Sequence, residues 1–227
     1  MGSASARRHA AGRGGGDTGP SPRPRLRPAA GTRLPAAERR ARILRAFVRE
    51  TLARGSVRRV GMRAVAERAG CTAPVLYRLF DGRDALVRAA IRSTHAPLLE
   101  RMESVARGGG SAAERIRALG ERYLADEPGE DEAFESLVFT ECASDPALAR
   151  EVRGVFTRFE ALLGEVIRSG MAAGELRADV DPVYAAWRLI DVGLFRNQAR
   201  LMRLATPDRI DYGRRAVESL LREISPS

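Results

Sequence analysis

The side chains able to do chemistry in this chain are overwhelmingly guanidinium groups: every one of its 39 basic residues is Arg. A guanidinium fork can pair with a phosphate or a guanine edge. In a chain this rich in Ala and Gly, however, the complete absence of Lys reflects GC-rich codon usage, so residue type alone assigns no Arg a role. Distribution says more. Residues 1–35 carry a net charge of +6, residues 36–88 carry +8, and residues 89–227 carry −4, for a total of +10. A basic front and a slightly acidic rear point to a polyanion held by the front, with nucleic acid first and a membrane surface second.

Catalytic chemistry lacks its usual sets. There is no Gly-rich phosphate loop and no nucleophile with a plausible His partner. Two cysteines (Cys71 and Cys142) and two histidines (His9 and His95) show no zinc spacing. The expectation is therefore no enzyme, no metal and no cofactor, although the sequence leaves open catalytic carboxylates among the many acids. Both thiols are expected to be reduced and buried, as in a cytoplasmic protein. No apolar run is long enough for a membrane span, and no apolar h-region follows the basic N-terminus.

The elements that must position these groups centre on residues 60–86, VGMRAVAERAGCTAPVLYRLFDGRDAL. Met62, Val65, Ala66 and Ala69 fall at i, i+3, i+4 and i+7, on one helical face. Gly70-Cys71 breaks that pattern, and a second short helix follows with Leu76 and Phe80 four residues apart. Asp81-Gly82 interrupts again. Two short helices joined by a glycine-containing turn form the unit that places its second helix in a DNA major groove. An ordinary αα-hairpin within a helical protein has the same pattern.

The flanking sequence is helical throughout, with no sustained strand alternation. Residues 1–35, with clustered Gly and Pro and few large apolar side chains, are expected to be disordered. They read either as a basic arm adding phosphate or minor-groove contacts or as a solvated tail. A first helix is expected from Pro35 or Ala36 to Gly55, with Ile43, Leu44, Phe47, Val48, Thr51 and Leu52 inward. Another begins at Asp81 or Gly82, with Asp84 favouring the helix dipole; Pro97 is expected to bend or break it before Gly108. Ser111 and Glu114 form a capping box opening Ala112–Ala125. The acidic run at residues 126–135 is expected to be an exposed connection and helix start. Further helices are predicted to about Ser144, from Pro146 to near Gly174, from Asp181-Pro182 through Leu204, and from Pro207 or Asp208 to Ile224.

The central stretch resembles the DNA-binding domain of TetR-family transcriptional regulators. The resemblance lies in Val65-Ala66, Ala69-Gly70-Cys71-Thr72, Leu76-Tyr77-Arg78-Leu79-Phe80 and Arg83-Asp84-Ala85-Leu86, and covers about residues 36–90. Beyond it the helical layout alone is similar, including Gly174-Glu175-Leu176-Arg177-Ala178-Asp179. The resemblance implies an all-α fold: a basic arm at 1–35, a three-helix helix-turn-helix domain at 36–88, and a helical effector-binding and dimerisation domain at 89–227.

The implied DNA-binding residues are Arg63, Thr72, Ala73, Pro74, Val75, Tyr77, Arg78 and Arg83. Thr72 would N-cap the recognition helix, where its hydroxyl or the helix amides can meet a phosphate. Ala73, Pro74 and Val75 would face the groove floor, able to touch thymine methyls but not to donate to base edges. Tyr77 matches the family tyrosine that reaches the backbone, and Arg83 stands where the family often has Lys, to hold a phosphate. Arg63 matches a position from which some members read a base. Three positions depart: Gly61 replaces a capping Thr, Leu79 a common His, and Cys71 a usual Val, where it can serve as a small buried apolar group.

For the rear half the resemblance implies a small-molecule pocket and a homodimer built on the last two helices, whose Ala185, Ala186 and Gly193 would allow close approach. Candidate pocket residues are Tyr123, Phe134, Phe139, Phe156, Phe159 and Trp187, which would suit an apolar or aromatic effector; aromatics on helical faces also serve as plain core. The function implied is a cytoplasmic, nucleoid-associated repressor, with no membrane partner, that such an effector releases from a palindromic double-stranded DNA operator. A family member without a small-molecule ligand, or a helical interaction protein, remains the alternative.

Overall fold

Pro35 and Gly55 bracket the first helix, α1 (Ala36–Arg54), and Gly55 closes it in the left-handed region at φ 61°. The computed structural model describes residues 35–125, 129–204 and 212–226, excepting the side chains of 121–125. The expected arm at 1–35 (but for Pro35), the connection at 126–128 and the start of the last helix at Pro207 or Asp208 lie outside the described residues. The described residues belong to a single compact unit.

After α1 come α2 (Met62–Arg68) and α3 (Ala73–Leu79), then α4 (Gly82–Arg107). Most inward residues of the sequence pattern are buried: Val65, Ala66, Ala69, Leu76 and Phe80 join Ile43 and Phe47 in one core, with Met62 and Leu52 half-buried against it. Gly70 turns the chain between α2 and α3 at φ 62°, a conformation that disfavours a side chain. Phe80 ends α3 in an extended conformation and lies beneath the Arg40 guanidinium, 4.2 Å from its ring centroid.

α4 runs unbroken through Pro97, contrary to a break there. Pro97 and Ser93 are both exposed, so the carbonyl that loses its amide partner lies on the solvent side, where water can satisfy it. The buried stripe Ile91, His95, Leu99, Met102 and Ala106 faces inward.

The rear contains α5 (Ala112–Ala125), α6 (Glu130–Cys142), α7 (Pro146–Ala172), α8 (Pro182–Leu201) and α9 (Tyr212–Ile224). The Ser111–Glu114 capping box is present: the Ser111 amide donates to Glu114 Oε2 at 2.8 Å, and the Glu114 amide to Ser111 Oγ at 3.2 Å. Asp145 and Asp181 cap α7 and α8 through paired amide bonds. Gly170 allows α7 to meet the start of α5, because a Cβ there would stand 2.4 Å from Ala112 Cβ. The acidic run is not wholly exposed: Glu135 is buried, its carboxylate engaged by His95 and Asn197. Ala185, Ala186 and Gly193 are also buried, so the close approach they permit serves packing within the chain.

Candidate nucleic-acid interface and core cavity

α3 presents a two-sided pattern. Leu76 is fully buried, while Pro74, Tyr77 and Arg78, at i, i+3 and i+4, are exposed on the opposite side. Tyr77 is 55% exposed, a large value for an aromatic residue with ample core nearby to join. Ala73 and Val75 are half-buried beside them. Thr72 occupies the N-cap, and its carbonyl accepts from the Val75 and Leu76 amides, but its hydroxyl makes no capping bond. Arg63 projects from α2 with 91% of its side chain exposed, held in an i,i+4 pair with Glu67 at 2.9 Å. Of these residues, Thr72, Pro74, Tyr77, Arg78 and Arg63 are exposed; Arg, Tyr and Thr are types able to meet phosphates, and Ala, Pro and Val types able to meet base methyls.

Arg83 is placed differently. Its Nη2 donates to the Val57 carbonyl at 2.7 Å, and its Nε reaches toward the Val60 carbonyl at 3.5 Å. The guanidinium thus ties the start of α4 to the α1–α2 loop and leaves about a third of the side chain exposed, 35%. Other arginines are spent likewise: Arg40 donates to the Leu79 carbonyl and Arg42 to that of Gly70.

Glu50 escaped the sequence reading. This buried carboxylate accepts from Arg68 at 2.6 Å and Arg54 at 3.0 Å, locking α2 to α1. The Arg68 hydrogen bond holds it below the usual carboxylate range; burial opposes this and Arg54 reinforces it. Its position on the inward face of α1, in register with Phe47, was the available signal.

A cavity of about 60 Å³ lies between α4, α5, α7, α8 and α9. Met102, Ile116, Leu119, Phe156, Phe159, Leu163 and Val217 supply much of its wall, and no charged side chain lines it. Of the six sequence candidates, Phe156 and Phe159 line this cavity. Phe139 packs on Phe156 with ring centroids 5.8 Å apart, and Trp187 stacks on Phe156 from the outside, its indole N–H donating to Glu160. Phe134 is elsewhere, edge-on to Phe47 in the seam between α1 and α6. The Tyr123 side chain lies outside the described residues.

Behind Phe159 lies a polar pair the sequence reading passed over. His95 sits with its ring 6.2 Å from that of Phe159, and its Nε2 faces Glu135 Oε1 at 3.0 Å. The signal was its four-residue spacing from Ile91 and Leu99. No metal-ligating group of His, Cys, Asp or Glu assembles among the described residues. No helix among them is long and apolar enough to cross a membrane.

Residues 48–90 match the family described as Bacterial regulatory proteins, tetR family. A TetR transcription regulator from Haloarcula marismortui is similar in structure at a TM-score of 0.71 and 15% identity, over 84% of this chain and all of that one (100%). The reduced form of Escherichia coli NemR gives 0.69 and 18% over 83% of this chain and 100% of its own. A Saccharomonospora viridis protein in complex with choline gives 0.68 and 21% over 84% and 100%. At such identities the likeness establishes the fold. No curated protein matches the chain in sequence.

Proposed function

We infer that this TetR-family chain, with the family's segment at residues 48–90 on the family's fold, is a homodimeric repressor that a small effector releases from a palindromic operator. The observation carrying the DNA half of that reading is the exposed Pro74–Tyr77–Arg78 side of α3 over a buried Leu76. Arg63 and Thr72 flank it, while Arg83, engaged with the Val57 and Val60 carbonyls, keeps about a third of its side chain open to a phosphate at the start of α4. Because the groove-facing residues are apolar, sequence choice rests on Arg63, thymine methyls and DNA shape.

The homodimer is supported by exposed apolar side chains on α8 and α9. Tyr184, Phe195, Met202 and Tyr212 are each more than half exposed, at 63%, 57%, 57% and 56%. Such a patch marks an interaction surface, and two recognition helices reading a palindrome require two copies. The protein would act in the cytoplasm, on the chromosome.

The effector reading rests on the apolar cavity. Its volume, about 60 Å³, is far below the roughly 300 Å³ of a small-molecule site. An apolar or aromatic effector therefore has to part the surrounding helices, and it will favour whichever conformation is already parted. Met102 places α4 in the cavity wall, while the other end of α4 carries Arg83 beside the reading head. Displacement of α4 would move two recognition helices off operator spacing. A second reading, regulation without a small-molecule ligand, draws on the smallness of the same cavity. The S. viridis protein holds choline; the uncharged wall here favours a neutral molecule.

The test is selection of genomic DNA fragments by the purified protein. Recovery of one palindromic motif is the expected result, and featureless binding, or none, overturns the reading.

A further inference from the structure

The α1–α2 loop, residues 55–61, is grasped from two sides. From α4, Arg83 holds the carbonyls of Val57 and Val60. From the end of α6, Glu141 takes the loop's donors: Ser56 Oγ donates to its Oε1 at 2.6 Å, and the Arg58 amide to its Oε2 at 3.2 Å. Arg58 answers by donating from Nη2 to the Ser144 carbonyl at 2.6 Å. Glu141 is only 14% exposed and its bond with Ser56 is part-buried, while the bonds made by Arg58 lie on the solvent side. Within the loop, the Val60 amide donates to the Val57 carbonyl, Val57 and Val60 are buried, and Gly61, which opens α2, has no side chain to cap that helix.

Every residue proposed above to read DNA lies downstream of this loop. α2 follows it directly, and α3 follows α2 through the turn at Gly70. We propose that Glu141 is a positioning residue for operator recognition: by clasping residues 56 and 58 to α6, it sets where α2 and α3 stand relative to the rest of each protomer. The rear of the molecule then reaches the reading head by α4, by the α1–α6 seam with Glu50 tying α1 to α2, and from α6 through Glu141 to the loop. A carboxylate suits the task because one group accepts both a hydroxyl and a backbone amide. This inference rests on the homodimeric regulator reading, since position matters to binding only when two heads must match two half-sites.

The experiment separates position from folding. With the selected operator in hand, affinities of the full chain are measured for three duplexes: the operator, the operator with one base pair inserted at its centre, and a single half-site. Glu141→Ala is expected to bind the half-site as the wild type does, while its preference for the native spacing falls roughly 3- to 30-fold. Glu141→Gln keeps a single acceptor oxygen, at a position that the Ser56 hydroxyl reaches at 2.6 Å and the Arg58 amide at 3.4 Å, and should restore part of that preference. Ser56→Ala, a milder lesion, should lower it partially and keeps the test open if Glu141→Ala does not fold. Unchanged spacing preference in folded Glu141→Ala or Ser56→Ala overturns the proposal. So does an equal loss on all three duplexes, which would make the clasp merely structural. If no palindrome is recovered, the functional reading itself fails, a separate outcome.

Discussion

His95 and Glu135 share a proton-rich contact in the core: both nitrogens of the imidazole face acceptors. Nδ1 lies 2.8 Å from the Ile91 carbonyl, and Nε2 lies 3.0 Å from Glu135 Oε1. A neutral imidazole has one N–H, so it can donate to only one of the two; the imidazolium donates to both. Asn197 from α8 and the Thr94 hydroxyl sit beside the pair, and Asp131 adds negative field. Burial alone would lower the imidazole's affinity for protons. The hydrogen bond and charge of Glu135, with help from Ile91 and Asp131, outweigh it and raise the pKa above the ordinary 6.5.

A raised histidine pKa fixes the sign of a pH effect. The contribution to stability is complete below about pH 6.5 and is lost as pH climbs through the raised value in the folded protein. Urea unfolding between about pH 6 and 9 is expected to give stability that falls with pH, and Glu135→Gln is expected to flatten that fall. Glu135→Ala, which strands a buried imidazolium, should cost about 3 kcal/mol at the acid end. A slope identical in wild type and Glu135→Gln would show that the pair does not titrate as a unit.

Tyr77 and Arg83 should separate under alanine substitution. Tyr77→Ala removes an exposed side chain, so operator affinity is expected to drop roughly tenfold with no change in melting temperature. Arg83→Ala also frees two carbonyls in the α1–α2 loop, so stability should fall with affinity, by about 1–2 kcal/mol. Thermal melts alongside titrations at fixed salt check both. A destabilised Tyr77→Ala would place that ring in the core instead.

Arg78→Ala tests the proposal that this exposed guanidinium meets the DNA backbone. It is expected to weaken binding to operator and to random duplex alike, lowering the slope of log affinity against log salt by about one unit. A loss confined to the operator would make Arg78 a base reader.

The apolar face of α8 is open to a disruptive charge. Phe195→Glu alters a side chain that is 57% exposed, so each protomer should keep its helicity. Sedimentation is expected to show monomers, with operator binding lost. A dimer that persists at micromolar concentration would place the interface elsewhere.

Most of the helices were legible in sequence because their ends carry chemical marks: Gly55 at a left-handed position, Ser111 with Glu114, and Asp145 and Asp181 one residue before a proline. The spacing of Leu76 and Phe80 marked the inward side of α3, while its outward residues were named by the family resemblance, and two of these, Ala73 and Val75, are half-buried. Long-range pairing was not. The partners of Glu135 and Glu141 lie 40 and 85 residues away, beyond the reach of any local pattern. An acidic run looks solvated until a histidine on another helix is brought to it. Pro97 misled for a related reason: whether a proline breaks a helix depends on which side of it meets water.

The habit of Arg83 recurs at Arg40, Arg42 and Arg58, each of which caps a carbonyl in a neighbouring segment. A fork that reaches both Val57 and Val60 has no equivalent in a lysine, whose single ammonium is a point charge on a flexible stem. Codon bias can account for how these arginines arrived, but it does not account for how they would leave. Once a guanidinium spans two carbonyls, reversion to lysine costs structure even where it preserves charge. At such a position a lysine would keep the charge and lose the bridge, so the scaffold depends on the guanidinium itself and not on its charge alone.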